Sequence, residues 1–417
     1  MTGLAADLAA TATFTSGENG ISRLAWTPPL AAAYAYVESR MQELGMDTRR
    51  DGAGNLIGTW HPGAQKAIAV GSHLDSVPEG GNYDGTLGVL SGLEAVRILQ
   101  RENFQPVRPV MLIAFMDEEG ARFGAPLFGS RAFSGQDMST FGDLRDSDGI
   151  SICEAMAQAG FPYAGISENP GIDSVEAYLE LHIEQGPVLE AQDRQIGAVT
   201  AISGGHGLHV GIRGTPGHSG TIPMAMRRDA LVGASRIIAR LPLLAAENPG
   251  LLLTVGQISA RPGAINVVPG ACDFTVDVRS VDPDLLIRGT ELVRRLVTTT
   301  AAESALEAEI TVLHKATPLT MDPGLRTVII EAARLEGVDA LEMPSGAGHD
   351  ALMVGRRVPA GMIFVPSRAG ISHHPDEFTA LEDCERGSRV LARTLARLAG
   401  RAGTPPTSAH HDALAHS

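Results

Sequence analysis

The stretch Gly71–Val89, GSHLDSVPEGGNYDGTLGV, places one histidine and two aspartates, His73, Asp75 and Asp84, just beyond a short apolar run. Ala67–Val70 reads as a buried strand, and His73 and Asp75 follow at its C-terminal end, where open parallel sheets gather ligands and cofactors. Val110–Phe115 reads as a second buried strand, and it runs out into Asp117-Glu118-Glu119-Gly120. Between the two, Thr86–Gln100 has the spacing of an amphipathic helix. Strand, helix and strand therefore alternate as in an α/β fold. Acidic side chains that converge at one strand end repel one another unless a cation neutralises them. A metal site is the economical reading.

Two further segments supply the missing ligand types: His182 in Leu181–Gly186 and His373 in Gly370–Pro375. Zinc, manganese, cobalt and nickel ions all accept mixed imidazole and carboxylate ligands, so the residues leave the metal open. In two-metal sites, with ions about 3.5–4 Å apart, one carboxylate bridges and a shared water becomes the nucleophile. Here Asp84 is available as the bridge, histidines are available for both ions, and one glutamate is spare to touch the water. Glu184 competes with His182, and His374 competes with His373. Glu118 and Glu119 are adjacent, and neighbours on an extended segment point to opposite sides. Only a turn brings both to one site.

Composition narrows the alternatives. A chain of 417 residues exceeds what one core serves, so two domains are expected. The formal charge of −15 argues against a nucleic-acid partner, whose phosphates it would repel. Cys153, Cys272 and Cys384 are scattered without CxxC spacing, which disfavours a disulfide framework and suits a reducing cytoplasm. No signal-peptide pattern and no long apolar run appear, so neither export nor a membrane span is expected. Arg401–Ser417, with His410, His411 and His416, reads as a flexible tail.

Leu30–Leu44 carries helical spacing behind Pro28-Pro29, and Gly80-Gly81 suits a close backbone turn beside the site. The pattern changes near Ile202. Gly207–Arg213 alternates like a half-exposed strand, and Arg228–Leu241 reads as a helix. Leu251–Ile258 and Cys272–Val278 are strand candidates, Pro283–Thr299 is helical, and Ile310–His314 closes the set. The order β-α-β-β-α-β suggests a ferredoxin-like α+β unit.

The ordered series GSHLD, NYDG, DEEGARFG, HIEQGPVLE, GTPGHSGTIPM, NVVPG, DVRS, SGAGHDA and VPSRAGISHHP resembles the hydantoinase/carbamoylase amidase group of the M20 metallopeptidase family. The resemblance covers nearly the whole chain. It implies a discontinuous di-metal catalytic domain of the zinc-exopeptidase type, residues 1–201 and 316–400, followed by the tail at 401–417. An inserted lid and dimerisation domain would occupy residues 202–315.

Carried over residue by residue, it makes His73, Asp84, Glu119, His182 and His373 the ligands of two divalent ions. Glu118 becomes the general acid and base, and Asp75 orients His73. His218 becomes an oxyanion stabiliser for the partner subunit of a homodimer. Asn266 and Arg279 would hold a substrate carboxylate, while Gln185 and His349 would contact the amide or ureido end. Arg131, Arg227 and Arg228 read as solvated or structural, and Asp350 as a helix cap. The implied activity is hydrolysis of a small ureido carboxylate, first an N-carbamoyl-L-amino acid, then allantoate, then 3-ureidopropionate. An M20 aminoacylase or peptidase, and a non-catalytic binding protein, are the more distant readings.

Overall fold

A computed structural model describes residues 3–166 and 171–400; the tail expected at 401–417 lies outside the described residues. The chain divides into two compact units, one formed by the part up to Thr200 with the part from Met321 onward, the other by Ala201–Thr320.

The first unit is built on a mixed sheet. Its main strands are β1 (Asp47–Arg50), β2 (Leu56–Trp60), β3 (Ala67–His73), β4 (Val110–Phe115), β5 (Val175–Ile183), β6 (Gly197–Ile202), β7 (Leu341–Ser345) and β8 (Ala360–Val365). They lie in the order β1-β2-β4-β3-β5-β8-β6, with β7 paired to β6. The central run β4-β3-β5-β8 is parallel, and β2 and β6 join it antiparallel on either side. Every residue of β3 and β4 is buried, as the unbroken apolar runs require of strands covered on both faces. β3 extends to His73 itself, three residues beyond the apolar run that announces it.

The Thr86–Arg101 helix leaves β3 and packs on the C-terminal helix Leu381–Ala399. Leu90, Leu93, Val96, Leu391 and Leu395 join Val70, Leu112, Leu181 and Val365 in one core. The early helix spans Pro28–Glu43, with proline in its first turn, where the missing N–H costs no hydrogen bond. Arg23 is wholly buried and donates to the carbonyls of Leu74 and Thr11 and to the Thr86 hydroxyl, fixing the chain just after β3. Burial lowers its pKa to about 10 against the opposing pull of Asp75.

The second unit has an antiparallel sheet of its own. Ile258–Arg261, Ala271–Ser280, Gly204–Arg213 and Glu307–Ala316 lie side by side, and Leu252–Thr254 also pairs with Ala271–Ser280. Alternate residues of Ala271–Ser280 are buried, and Phe274, Val276 and Val278 meet Ile237, Leu241, Val293 and Val297 of the helices Ala230–Ala246 and Pro283–Glu303. The stretch 251–258 differs from expectation. It breaks into two short strands around Gly256 rather than running as one. Among the described residues no helix is long and apolar enough to cross a membrane.

Candidate active site

The parallel strands β3, β4, β5 and β8 end together, and the chain just beyond or within those ends carries the polar cluster. His73 closes β3, Asp117–Glu119 follow β4, His182 lies near the end of β5, and Ser367–Glu377 follow β8. Parallel registry puts His73 level with Phe115, and His182 level with Phe364.

Asp84 is the centre. Its Oδ1 lies 3.4 Å from His73 Nε2 and 3.2 Å from His182 Nε2. Its Oδ2 lies 3.3 Å from His373 Nε2, which is also 3.4 Å from Glu119 Oε2. Two potential cation sites thus share one carboxylate: His73, Asp84 and His182 on one side, and Asp84, Glu119 and His373 on the other. The donor set fits divalent ions of the imidazole–carboxylate type. The Nδ1 atoms of both buried imidazoles face main-chain carbonyls, Asp75 O at 3.1 Å and Ile183 O at 2.9 Å. A carbonyl can only accept, so in the neutral imidazole Nδ1 carries the proton and the Nε2 lone pair faces Asp84; at His182 that Nε2 also accepts the Gly85 N–H at 3.1 Å. Gly85, at φ +60°, permits the approach: a Cβ there would lie 2.3 Å from the His73 ring.

Glu118 reaches the same cluster, with Oε2 3.6 Å from His73 Nε2. The turn that brings both glutamates inward uses left-handed backbone at Asp117 (φ 56°) and Gly120 (φ 61°). Asp75 holds this turn. Its Oδ1 accepts the Glu118 N–H at 3.2 Å and its Oδ2 the Glu119 N–H at 3.1 Å. Asp75 also faces His73 Nδ1, through its backbone carbonyl at 3.1 Å and its Oδ1 at 3.7 Å.

The two rival neighbours, Glu184 and His374, have other partners. Glu184 accepts the N–H groups of Val188 and Leu189, capping a short helix. His374 is exposed and faces Asp376. Gln185 turns its Nε2 to Asp84 Oδ2 at 2.7 Å, and its Oε1 is buried without a hydrogen-bond partner. His349 is buried against the His182 ring, with Nε2 2.8 Å from Ser345 Oγ. Asp350 departs from its expected role: it precedes Ala351–Val354 but caps nothing, since its backbone is already helical and its side chain accepts no helix N–H.

The electrostatics show how much negative charge is packed here. Burial, then Glu119, Asp350 and Asp75, hold Glu118 well above the ordinary carboxyl range against the opposing His73. Burial and Asp84 push Glu119 up to about 7. Burial alone would raise Asp84 too, but His182, His373 and His73 outweigh it and hold Asp84 well below the ordinary value. The hydrogen bond to Asp84 raises His373 to about 9. For His73, burial pulls downward, yet Glu118, Asp84 and Asp75 more than reverse it.

Several members of the cluster escaped the sequence reading. Glu180 is wholly buried, accepts from Ser72 Oγ at 2.9 Å, and forms a further potential ligand group with His182 and His349. It lies two residues before His182, so strand alternation puts both on one face, a signal that was available. Ser372 and Glu377 flank His373 and bind the Asp84 loop; no periodicity or spacing marks them. Gly80-Gly81 has no left-handed backbone; Gly81 is required because a Cβ would lie 2.1 Å from Glu377 Oε1.

In the second unit, His218 lies on Gly217–His218, paired with Val267–Val268, and Ser219 N–H donates to Asn266 O at 2.9 Å. His218 and Asn266 are therefore neighbours, and both are exposed. Arg279, near the end of Ala271–Ser280, donates Nε to Asp277 Oδ2 at 2.6 Å.

Residues 69–397 match the pattern of peptidase family M20/M25/M40. The chain is 36% identical to an N-carbamoyl-L-amino-acid amidohydrolase of Paenarthrobacter aurescens, over 92% of this chain and 95% of the relative. It is 37% identical to an allantoate amidohydrolase of Bacillus subtilis, over 92% and 94% of the two chains. The crystal structure of a hydantoinase/carbamoylase family amidase from Burkholderia multivorans superposes with a TM-score of 0.89 at 33% identity, covering 95% of this chain and 97% of that one. With strand-end histidines and carboxylates in place and this likeness along nearly its whole length, the chain belongs to peptidase family M20/M25/M40 and, within it, to the hydantoinase/carbamoylase amidases, as an amidohydrolase of that group.

Proposed function

We propose that the protein hydrolyses the ureido group of an N-carbamoyl-L-amino acid, releasing the amino acid, carbon dioxide and ammonia, with two divalent ions per subunit. Enzymes of the family use divalent metal ions. The observation that carries the proposal is the division of Asp84, whose Oδ1 faces His73 and His182 while Oδ2 faces His373, itself beside Glu119. Zinc, manganese, cobalt or nickel ions held there would polarise the ureido carbonyl and make a water acidic enough to attack it.

With His73, Asp84 and His182 on one ion and Asp84, Glu119 and His373 on the other, Glu118, whose Oε2 lies 3.6 Å from His73 Nε2, is left to touch the water. It takes the proton of the attacking water and returns it to the departing nitrogen. Burial and the neighbouring carboxylates raise the Glu118 pKa, and bound cations would oppose that rise. Asp75 fixes the Glu118–Glu119 turn through two backbone hydrogen bonds. The unpartnered Gln185 Oε1 is an acceptor for a ureido N–H, and His349 lies beside that end of the site. The resemblance assigns Arg279 and Asn266 to the substrate carboxylate, and His218 to the oxyanion in the partner subunit of a homodimer. Carbon–nitrogen cleavage on the amino-acid side leaves carbamic acid, which decomposes to carbon dioxide and ammonia.

Allantoate is the second reading, because an allantoate amidohydrolase is as similar to this chain as the carbamoyl-amino-acid enzyme. Ammonia release from a panel of N-carbamoyl-L-amino acids, allantoate and 3-ureidopropionate separates the readings. Fastest turnover of a carbamoyl amino acid is expected. Preferred turnover of dipeptides or N-acetyl amino acids would contradict the ureido assignment, and binding without hydrolysis would contradict catalysis.

A further inference from the structure

The hydrogen bonds around Asp84 Oδ2 compete for one proton. Ser372 Oγ lies 2.8 Å from Asp84 Oδ2 and 3.0 Å from Glu377 Oε2. A hydroxyl donates only once, so it serves one of these oxygens at a time. Gln185 Nε2 already donates to Asp84 Oδ2 at 2.7 Å. If Ser372 donated there as well, both lone pairs of that oxygen would be used, and none would face Glu119 and His373.

Glu377 is built into a position to take the proton instead. It is buried, and its Oε1 accepts the N–H groups of Tyr83 at 2.9 Å and Asp84 at 3.0 Å. Those two bonds join the chain after β8 to the loop after β3, across nearly three hundred residues of sequence. They also leave Oε2 facing Ser372. A Cβ at Gly81 would lie 2.1 Å from Oε1, so this carboxylate occupies space that only glycine leaves open.

We propose that Glu377 is a positioning residue for the second cation: by accepting the single Ser372 hydroxyl proton, it keeps one lone pair of Asp84 Oδ2 open toward Glu119 and His373. The inference rests on the two-cation reading above. It explains why a glutamate is needed where a glutamine would satisfy the same backbone. Glutamine must present its oxygen to the Tyr83 and Asp84 N–H groups, because its NH2 would oppose two donors. The NH2 then donates to Ser372 Oγ and forces the hydroxyl proton onto Asp84.

Glu377→Gln therefore preserves the loop staple and reverses one hydrogen bond. Manganese alone is titrated into metal-free protein, with the two binding steps followed by calorimetry and by the coupled electron-spin signal of paired ions. Glu377→Gln should weaken the second step about 10–100-fold and leave the first within about threefold. Ser372→Ala removes the contested proton and should leave both steps within about threefold of wild type. Glu377→Gln/Ser372→Ala should recover the second step, a rescue that a purely structural staple would not give. Wild-type affinity in Glu377→Gln overturns the inference alone, while wild-type protein that binds one ion or none breaks the two-cation reading beneath it. Should Glu377→Gln fail to fold, Ser372→Ala decides: a tenfold loss of the second step means the hydroxyl supports Asp84 and overturns the proposal.

Discussion

The polar groups of the two units are held in opposite ways. In the first unit His73 and His182 are 1% exposed and Asp84 is 6% exposed, and their partners are one another; His373, with its side chain 49% exposed, is the one open member of the set. In the second unit the Arg279 side chain is 42% exposed and pairs with Asp277, while His218 and Asn266 are exposed and His218 Nδ1 accepts the Gly220 N–H. Buried like charges persist only with compensation, so the first cluster has a shape that already asks for cations. Solvated groups carry no such demand, and their use depends on a ligand that brings them into play. One region is preorganised, and the other is available.

The sharpest way to break that contrast is at Glu118. Glu118→Gln should lower kcat by about 10²–10⁴-fold while metal content stays at the wild-type level. Near-normal rates would remove Glu118 from the chemistry. His218→Ala should lower kcat by about 10²–10³-fold with little change in KM, the mark of a group used only as charge develops. Mixing that variant with Glu118→Gln protein should restore activity through hybrid dimers, because each subunit then supplies what the other lacks. No restoration would place His218 in its own subunit's site or outside catalysis.

Arg279→Ala should act mainly on KM, raising it about 10–100-fold, since charged hydrogen bonds of this kind contribute roughly 1.5–3 kcal/mol. A substrate amide in place of the carboxylate should abolish the difference between wild type and variant. The smallest effect is in proton release. Without metal, His373 at about 9 is protonated at neutral pH, and Glu119 at about 7 is half protonated. A cation must displace those protons, so affinity should rise from pH 7 toward pH 9. Calorimetry in buffers of different ionisation heat reads the release directly, and a pH-independent affinity would contradict the proton inventory.

The parts of the molecule that could be read from sequence are those governed by periodicity. Ala67–Val70 and Val110–Phe115 are unbroken apolar runs because both faces of a central parallel strand are covered. Ala271–Ser280 alternates because one face of its sheet is open. The ligand candidates were legible for another reason, since histidine and adjacent acids at a strand end have few other uses. The supporting bonds were not. Asp75 turned out to clamp the Glu118–Glu119 backbone, and Glu377 reaches Asp84 from the far end of the chain. Such contacts depend on where loops meet, and loops carry no repeat. Asp350 misled for the same reason: an aspartate before a helix is a common cap, but here the backbone is already helical at that residue.

The most direct test is removal and return of the cations. Protein dialysed against a strong chelator until metal-free, as measured by mass spectrometry, is assayed for ammonia release from an N-carbamoyl-L-amino acid. It is assayed again as manganese, zinc, cobalt or nickel is added back. Loss of turnover in the stripped protein, and its recovery as the second ion per subunit binds, is the expected result. Undiminished hydrolysis by stripped protein, or full recovery at one ion per subunit, would contradict it.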